Sequence, residues 1–237
     1  MRAHLSILAF ATLVVSTVQP ASAQDEGDYA AWLALMTTPY GAMAPVMTPG
    51  MLGTAPTGRA VEFRVAQFEF DGADEAVRAF GLGGRVGRFG LVAGYQTCDG
   101  CDGTFMAGAD YDGTLVTRSM GMTGSPAMFV VGLRPAIGFG RISNDIEDVT
   151  ALSGAVDLPL SMAFGMGPTA KLVPHITPGF GFGRLSGGDE SESGTRASIG
   201  AGVGLKFAGT LGLNLGWRKV LLEDAPGTWG LGMSLGR

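Results

Sequence analysis

Ten ionisable residues carry whatever chemistry this chain can do away from its loops: Glu62, Arg64, Asp110, Asp112, Asp157, Lys171, His175, Arg196, Lys206 and Arg218. They stand among apolar neighbours one position away: Asp157 between Val156 and Leu158, His175 between Pro174 and Ile176, Lys206 between Leu205 and Phe207. Such spacing gathers both signs of charge on one face of extended chain. Charges taken out of water need partners, so a salt-bridged interior is the first expectation. A narrow polar pore lined by the same residues is the sharper alternative. His175 is the one histidine downstream of residue 23, and a hydrogen-bonded interior histidine is the commoner fate than catalysis. No nucleophile and base can be assigned to each other here, so no enzymatic activity is expected.

Cys98 and Cys101, flanking Asp99 and Gly100, are the remaining reactive pair. In an oxidising compartment they would close a local disulfide. A ring that small removes little unfolded-state entropy, so its stabilisation would be modest. A metal would need more ligands than these two thiolates with Asp99 and Asp102 nearby. A redox role would come with a thioredoxin-like βαβ context, which is missing. Neither metal nor cofactor is expected.

The elements that hold these residues are legible as strands. Ala197, Ile199, Ala201, Val203, Leu205 and Phe207 alternate with Arg196, Ser198, Gly200, Gly202, Gly204 and Lys206. Leu211, Leu213, Leu215 and Trp217 alternate with Gly212, Asn214, Gly216 and Arg218, and Trp229, Leu231, Met233 and Leu235 with Gly230, Gly232, Ser234 and Gly236. Segments of about ten residues that alternate and are separated by turns are the signature of a transmembrane β-barrel. From Arg59 onward the pattern predicts ten strands, at 59–70, 76–85, 88–97, 104–116, 126–141, 150–164, 170–186, 195–208, 210–220 and 228–236. The first strand breaks its own parity. Val61, Phe63 and Val65 fall on one face but Phe68 and Phe70 on the other, which a bulge near Ala66 or a barrel of eight strands would resolve. Pro174 and Pro178 withhold ladder donors, so a bulge or kink is expected in the seventh strand.

Charge supports the order. The segments joining strands one to two, three to four, five to six, seven to eight and nine to ten hold Asp71, Asp74, Glu75, Asp99, Asp102, Asp145, Glu147, Asp148, Asp189, Glu190, Glu192, Glu223 and Asp224. That is 13 of the 21 acids, without a Lys or Arg. The opposite turns are short and flanked by Arg85, Arg88, Arg118 and Lys171. Barrels of this architecture keep short turns in the periplasm and longer loops outside. The acidic set is therefore expected outside.

Residues 1–23 read as a secretory signal peptide, with Arg2, an apolar run from Leu5 to Val18, and Ala21-Ser22-Ala23 before Gln24. Removing Arg2 leaves 15 basic residues against 21 acidic, a net of −6, which disfavours nucleic acid as a partner. Charged residues are only 16% of the chain while glycine numbers 40, as suits a wall facing lipid. Beyond the signal no apolar run approaches the 18 residues that a spanning helix needs, and a closed barrel is the other way to pair every amide in a bilayer. Residues 24–57 differ from the rest, with four prolines and clustered methionines that argue against a long helix or central strand. Either a periplasmic tail or a partial plug of the barrel mouth fits them, and their apolar content favours a partly docked segment.

The segments VDLPLSMAFG, LVPHITPGFGFGRLSGG, TRASIGAGVGLKF, TLGLNLGWRKV and TWGLGMSLGR, within a pattern covering residues 59–237, resemble bacterial outer-membrane β-barrel proteins, small and porin-like. The resemblance implies a closed, antiparallel, up-and-down all-β meander of about ten strands over 58–237, in the bacterial outer membrane. It implies lipid, lipopolysaccharide and the barrel-assembly machinery as partners, and leaves oligomeric state open. Proteins of this kind end in an aromatic residue on the lipid-facing parity, whereas here that parity ends at Leu235. Their enzymatic members use histidine with serine or acidic partners, and no matching motif surrounds His175. A structural or minor diffusion-channel role is expected. Surface binding or adhesion through the acidic loops, or a soluble exported barrel, are the alternatives.

Overall fold

The computed structural model describes residues 24–43, 50–52, 58–69, 76–97, 103–122, 125–143, 148–188, 190–208, 210–222 and 225–236. Cys98, Cys101 and most of the acidic loop residues lie outside the described residues, as does the proposed signal peptide.

Ten antiparallel strands close on themselves in sequence order. They are β1 (Arg59–Glu69), β2 (Ala76–Val86), β3 (Phe89–Thr97), β4 (Thr104–Tyr111 continued by Gly113–Met122), β5 (Ser125–Ser143), β6 (Asp148–Asp157 continued by Leu160–Met166), β7 (Ala170–Gly187), β8 (Glu190–Phe207), β9 (Leu211–Val220) and β10 (Gly227–Gly236). Each pairs with the next, and β10 returns to β1 with Ala60 opposite Gly236 and Gln67 opposite Trp229. The two halves of β6 keep a single register against β7, Val149 facing Gly187 and Leu160 facing Ile176. Closure leaves no unpaired sheet edge, which is what permits a strand to cross a bilayer. The alternative of eight strands is thereby excluded.

Alternation decides which side chain meets which solvent. On β10, Thr228, Gly230, Gly232 and Ser234 are buried while Trp229, Leu231, Met233 and Leu235 are exposed. The same outward band includes Leu82, Phe89, Leu91, Tyr95, Ile137, Ile176 and Leu215. Exposed apolar side chains in this number suit lipid, and a water-soluble monomer would not carry them. No helix of the described residues is long and apolar enough to cross a membrane.

Three local expectations are corrected. First, β1 has no bulge at Ala66: its register against β2 runs unbroken from Arg59–Val86 to Glu69–Ala76. Phe68 simply faces inward and is buried. Second, β7 is not bulged at its prolines, since Ala170 to Gly187 pair in one register with β8. The interruption falls on its neighbour β6 at Leu158-Pro159, where Pro159 lacks a donor. Third, the described residues place a bulge in β4 instead, between Thr114 and Val116. Strands β4 and β5 also run longer than the alternation suggests, to Met122 and from Ser125, and β8 begins at Glu190 rather than at 195.

The inward parity of Phe68 has a cause in the N-terminal segment. Helix α1 (Gln24–Met36) ends in the run AAWLALM, which is apolar on every side, the pattern of a helix surrounded by protein. Trp32, Leu35 and Met36 pack with Phe68, Val77, Val220 and Ala225, next to the acidic loops. The chain then turns through Thr37 and Thr38, whose hydroxyls donate back to Leu33 and Leu35, into the short helix α2 (Pro39–Ala42). Met43 packs with Ala66, Ala79, Val92 and Met106. At the other end of the barrel, Leu52 meets Ala163 and Val173, and the Ser161 hydroxyl donates to the Met51 carbonyl at 2.8 Å. Residues 24–43 thus begin at the acidic-loop end of the interior, and residues 50–52 lie at the short-turn end.

Glycines on the wall make the room. A methyl group built on Gly183 would sit 2.5 Å from the Ala31 carbonyl oxygen, and one on Gly140 would strike the Thr37 backbone. Small barrels are filled by their own side chains; here a chain segment does the filling.

Candidate functional site

The interior carries ionised side chains. Two ionic clusters project from the wall there. In the first, Glu62 on β1 accepts from Arg64 at 2.5 Å and from Arg85 on β2 at 3.0 Å. Asp110 on β4 accepts from Arg85 at 2.5 Å and from Arg134 on β5 at 2.6 Å, with Arg64 at 3.9 Å. The Glu62, Arg64, Arg85 and Asp110 side chains are all within a few per cent of full burial. In the second cluster, Asp157 on β6 accepts from Arg218 on β9 at 2.6 Å.

Tyr40 of α2 ties the segment to that second cluster. Its hydroxyl donates to Asp157 at 2.6 Å and lies 3.2 Å from the Ser198 hydroxyl of β8. The Arg218 guanidinium sits over the Tyr40 ring, 4.3 Å from its centroid, and donates to the Tyr40 carbonyl. Thr38 adds a second tie, its hydroxyl 2.7 Å from that of Ser153 on β6.

Between segment and wall lies a cavity of about 30 Å³, lined by Tyr40 and Met43 on one side and Arg64, Asp110, Arg134, Asp157 and Arg218 on the other. That is room for one or two waters, or one small ion.

The anticipated interior residues divide into three groups. Glu62, Arg64 and Asp110 share the first cluster, and Asp157 and Arg218 the second. Asp112 is buried on the same face of β4, one step nearer the turn. His175, Arg196, Lys171 and Lys206 stand apart. His175 is buried, its Nδ1 lies 3.5 Å from the Val173 carbonyl, and Nε2 has no protein partner among the described residues. Ser161 is its cross-strand neighbour, but that hydroxyl is engaged with Met51. Lys171 and Lys206 face each other across β7 and β8 at the short-turn end, Lys171 exposed and Lys206 half-buried. Arg196 is half-buried nearer the acidic loops. Among the described residues, no group of three or more His, Cys, Asp or Glu side chains is placed to hold a metal ion.

Three members of the clusters escape the sequence reading. Arg85 reads as a turn-flanking cation, yet it shares parity with Gly81 and Gly83 and points inward. Arg134 shares parity with Gly132, Gly138 and Gly140, a signal that was available. Tyr40 pairs with a residue 117 positions away, for which no local pattern exists.

A family model described as an outer membrane protein beta-barrel domain matches residues 8–236. Solved structures similar to this chain include Ail, the attachment invasion locus protein of Yersinia pestis, at 17% identity, covering 77% of this chain and 99% of that one with a TM-score of 0.33. The N-terminal β-barrel domain of Pseudomonas aeruginosa OprF matches at 13% identity over 78% of this chain and 100% of its own, TM-score 0.34. The outer membrane enzyme PagL matches at 16% identity over 73% and 98%, TM-score 0.36. Among curated proteins nothing matches.

Proposed function

The chain belongs to the outer membrane protein β-barrel domain family, and from that premise we propose that it is a structural barrel of the bacterial outer membrane whose lumen its own N-terminal segment keeps shut. The observation that carries this reading is the placement of residues 24–43 and 50–52 inside the barrel, towards opposite ends, with Tyr40 anchored to Asp157. The segment packs against the wall at Gly140, Gly181 and Gly183, which supports a lumen narrowed by it. Diffusion through the barrel requires the segment to leave. Its role is therefore mechanical and architectural first, and that of a minor channel only in a displaced state.

Several further elements belong to this reading. The export signal is cleaved before Gln24, Cys98 and Cys101 are disulfide-bonded in an outer loop, and lipid, lipopolysaccharide and the barrel-assembly machinery are the partners. The protein has no catalytic role: the Ser161 hydroxyl opposite His175 is directed to a backbone carbonyl, which supports this.

Planar-bilayer recording tests the proposal. The chain from Gln24 onward should give no conductance steps, whereas a variant lacking residues 24–57 should give discrete ones. Steady conductance of the intact chain, equal to that of the truncated one, overturns it.

A further inference from the structure

We propose that the second half of β4, Gly113–Met122, is a docking strip on which an extended, acidic segment of a partner protein lies as an added strand. The ring of strands is closed, but its short-turn end is not level. β3 accompanies β4 from Gln96–Thr104 to Phe89–Tyr111 and there turns back into β2, where Phe89 faces Val86. β4 runs on for ten residues from Gly113 with β5 alone, down to Met122 opposite Ser125. Among the described residues, no strand lies on its other side.

Such an edge presents N–H and C=O groups that need water or a partner strand. They are not tolerated against lipid. The strip therefore projects from the bilayer at the short-turn end, which faces the periplasm in barrels of this architecture. Its side chains agree, since Leu115 to Met120 are all exposed. Edges that must stay single are blunted by prolines, lysines or a covering element. This one has no proline, no lysine and a single arginine, and its run Thr114-Leu115-Val116-Thr117 suits a strand. The bulge between Thr114 and Val116 sits at its root and leaves Val116–Met122 in one register with β5. Leu115, Val116 and Met120 offer apolar contacts to an incoming strand.

Charge selects the occupant. Arg59, Arg88, Arg118 and Lys171 are exposed around this end, while the nearby acids Asp110 and Asp112 are buried. Residues 113–133 contain no Asp or Glu. A second copy of the chain would bring the same cations against Arg118, which opposes pairing. A strand that carries Asp or Glu meets them with opposite charge, so main-chain hydrogen bonds hold it and side-chain charge selects it.

Three fluorescent decapeptides test this by anisotropy against the folded chain in non-ionic detergent: one alternating Thr or Val with Glu, its Lys-for-Glu counterpart, and the Glu peptide N-methylated throughout. The Glu peptide should bind, and each of the other two at least tenfold more weakly. Arg118→Glu, at an exposed position, should narrow the preference for Glu over Lys at least threefold. Ser119→Cys, in a variant lacking Cys98 and Cys101, should form disulfides with a cysteine moved along the Glu peptide in yields that alternate with period two. Lys171→Cys, at the same end but off the strip, should show no such alternation. Absence of binding, equal affinity for the N-methylated or the Lys peptide, an unchanged preference in Arg118→Glu, or cross-linking without the period overturns the proposal. Ser119→Cys linking chain to chain in preference to peptide also overturns it and gives the edge to a second copy.

Discussion

The Arg218 guanidinium stacks on the ring of Tyr40 while its Nη2 donates to Asp157, the same carboxylate that accepts the Tyr40 hydroxyl. One residue of the N-terminal segment and one of the wall thus share an anion, and each also contacts the other directly. Cation–π contact of a desolvated arginine is worth roughly 1–2 kcal/mol, and a hydrogen bond to a charged group roughly 1.5–3 kcal/mol. Together they make this a strong attachment of segment to barrel.

Tyr40→Phe should keep the stack and lose the hydroxyl bonds to Asp157 and Ser198. The expected cost is about 1.5–3 kcal/mol, read as a lower urea midpoint for the folded barrel in vesicles. Tyr40→Ala removes the stack as well and should cost more. Equal midpoints for the two variants would mean that the ring contributes nothing.

Asp110→Asn removes the carboxylate on which Arg85 and Arg134 converge, with Arg64 at its margin. Breaking a buried ion pair from one side costs about 3–5 kcal/mol, since it leaves uncompensated charge. Glu62→Gln should cost less, because Arg85 and Arg64 both retain Asp110 within reach. Unfolding midpoints of the two variants give the ranking, and the reverse order would displace Asp110 from the centre of the cluster.

Gly140→Leu puts a side chain where the Thr37 backbone now runs, whereas nothing lies within 4 Å of a methyl group built on Gly154. The first should expel the segment and make residues 24–43 susceptible to protease in an otherwise folded barrel. Gly154→Ala should leave them protected and stability within about 0.5 kcal/mol. Protection in both variants would show that the segment yields without leaving.

If the acidic loops face outward, a cysteine at Ser191, in a variant lacking Cys98 and Cys101, should react with an impermeant maleimide on intact cells. One at Gly209 should react only after the outer membrane is breached. Inverted labelling would invert the barrel.

What the chain discloses in advance is what touches lipid. Leu211, Leu213, Leu215 and Trp217 can be read as a wall because every one of them meets the same solvent, and the strand count follows from repeating that test. The inner face has no uniform solvent. Phe68, Val77 and Val220 are apolar because α1 lies against them, while Glu62 and Arg85 are charged because each faces the other. That is why Phe68 reads as a parity error until the segment is placed. Arg85 and Arg134 were within reach of the glycine parity, but Tyr40–Asp157 is a contact between elements that no periodicity connects.

With residues 24–43 towards one end of the interior and 50–52 towards the other, the ring of strands closes around its own N-terminal chain, as a bead around a cord. The seam between β1 and β10, from Ala60–Gly236 to Gln67–Trp229, joins the first strand to the last. If that seam zips before α1 is inside, the helix must be drawn through a finished pore with Trp32 at its widest girth; if it zips afterwards, the segment serves as the core on which the ring closes. The second order needs no passage, and it makes the earliest part of the chain a mandrel for the latest.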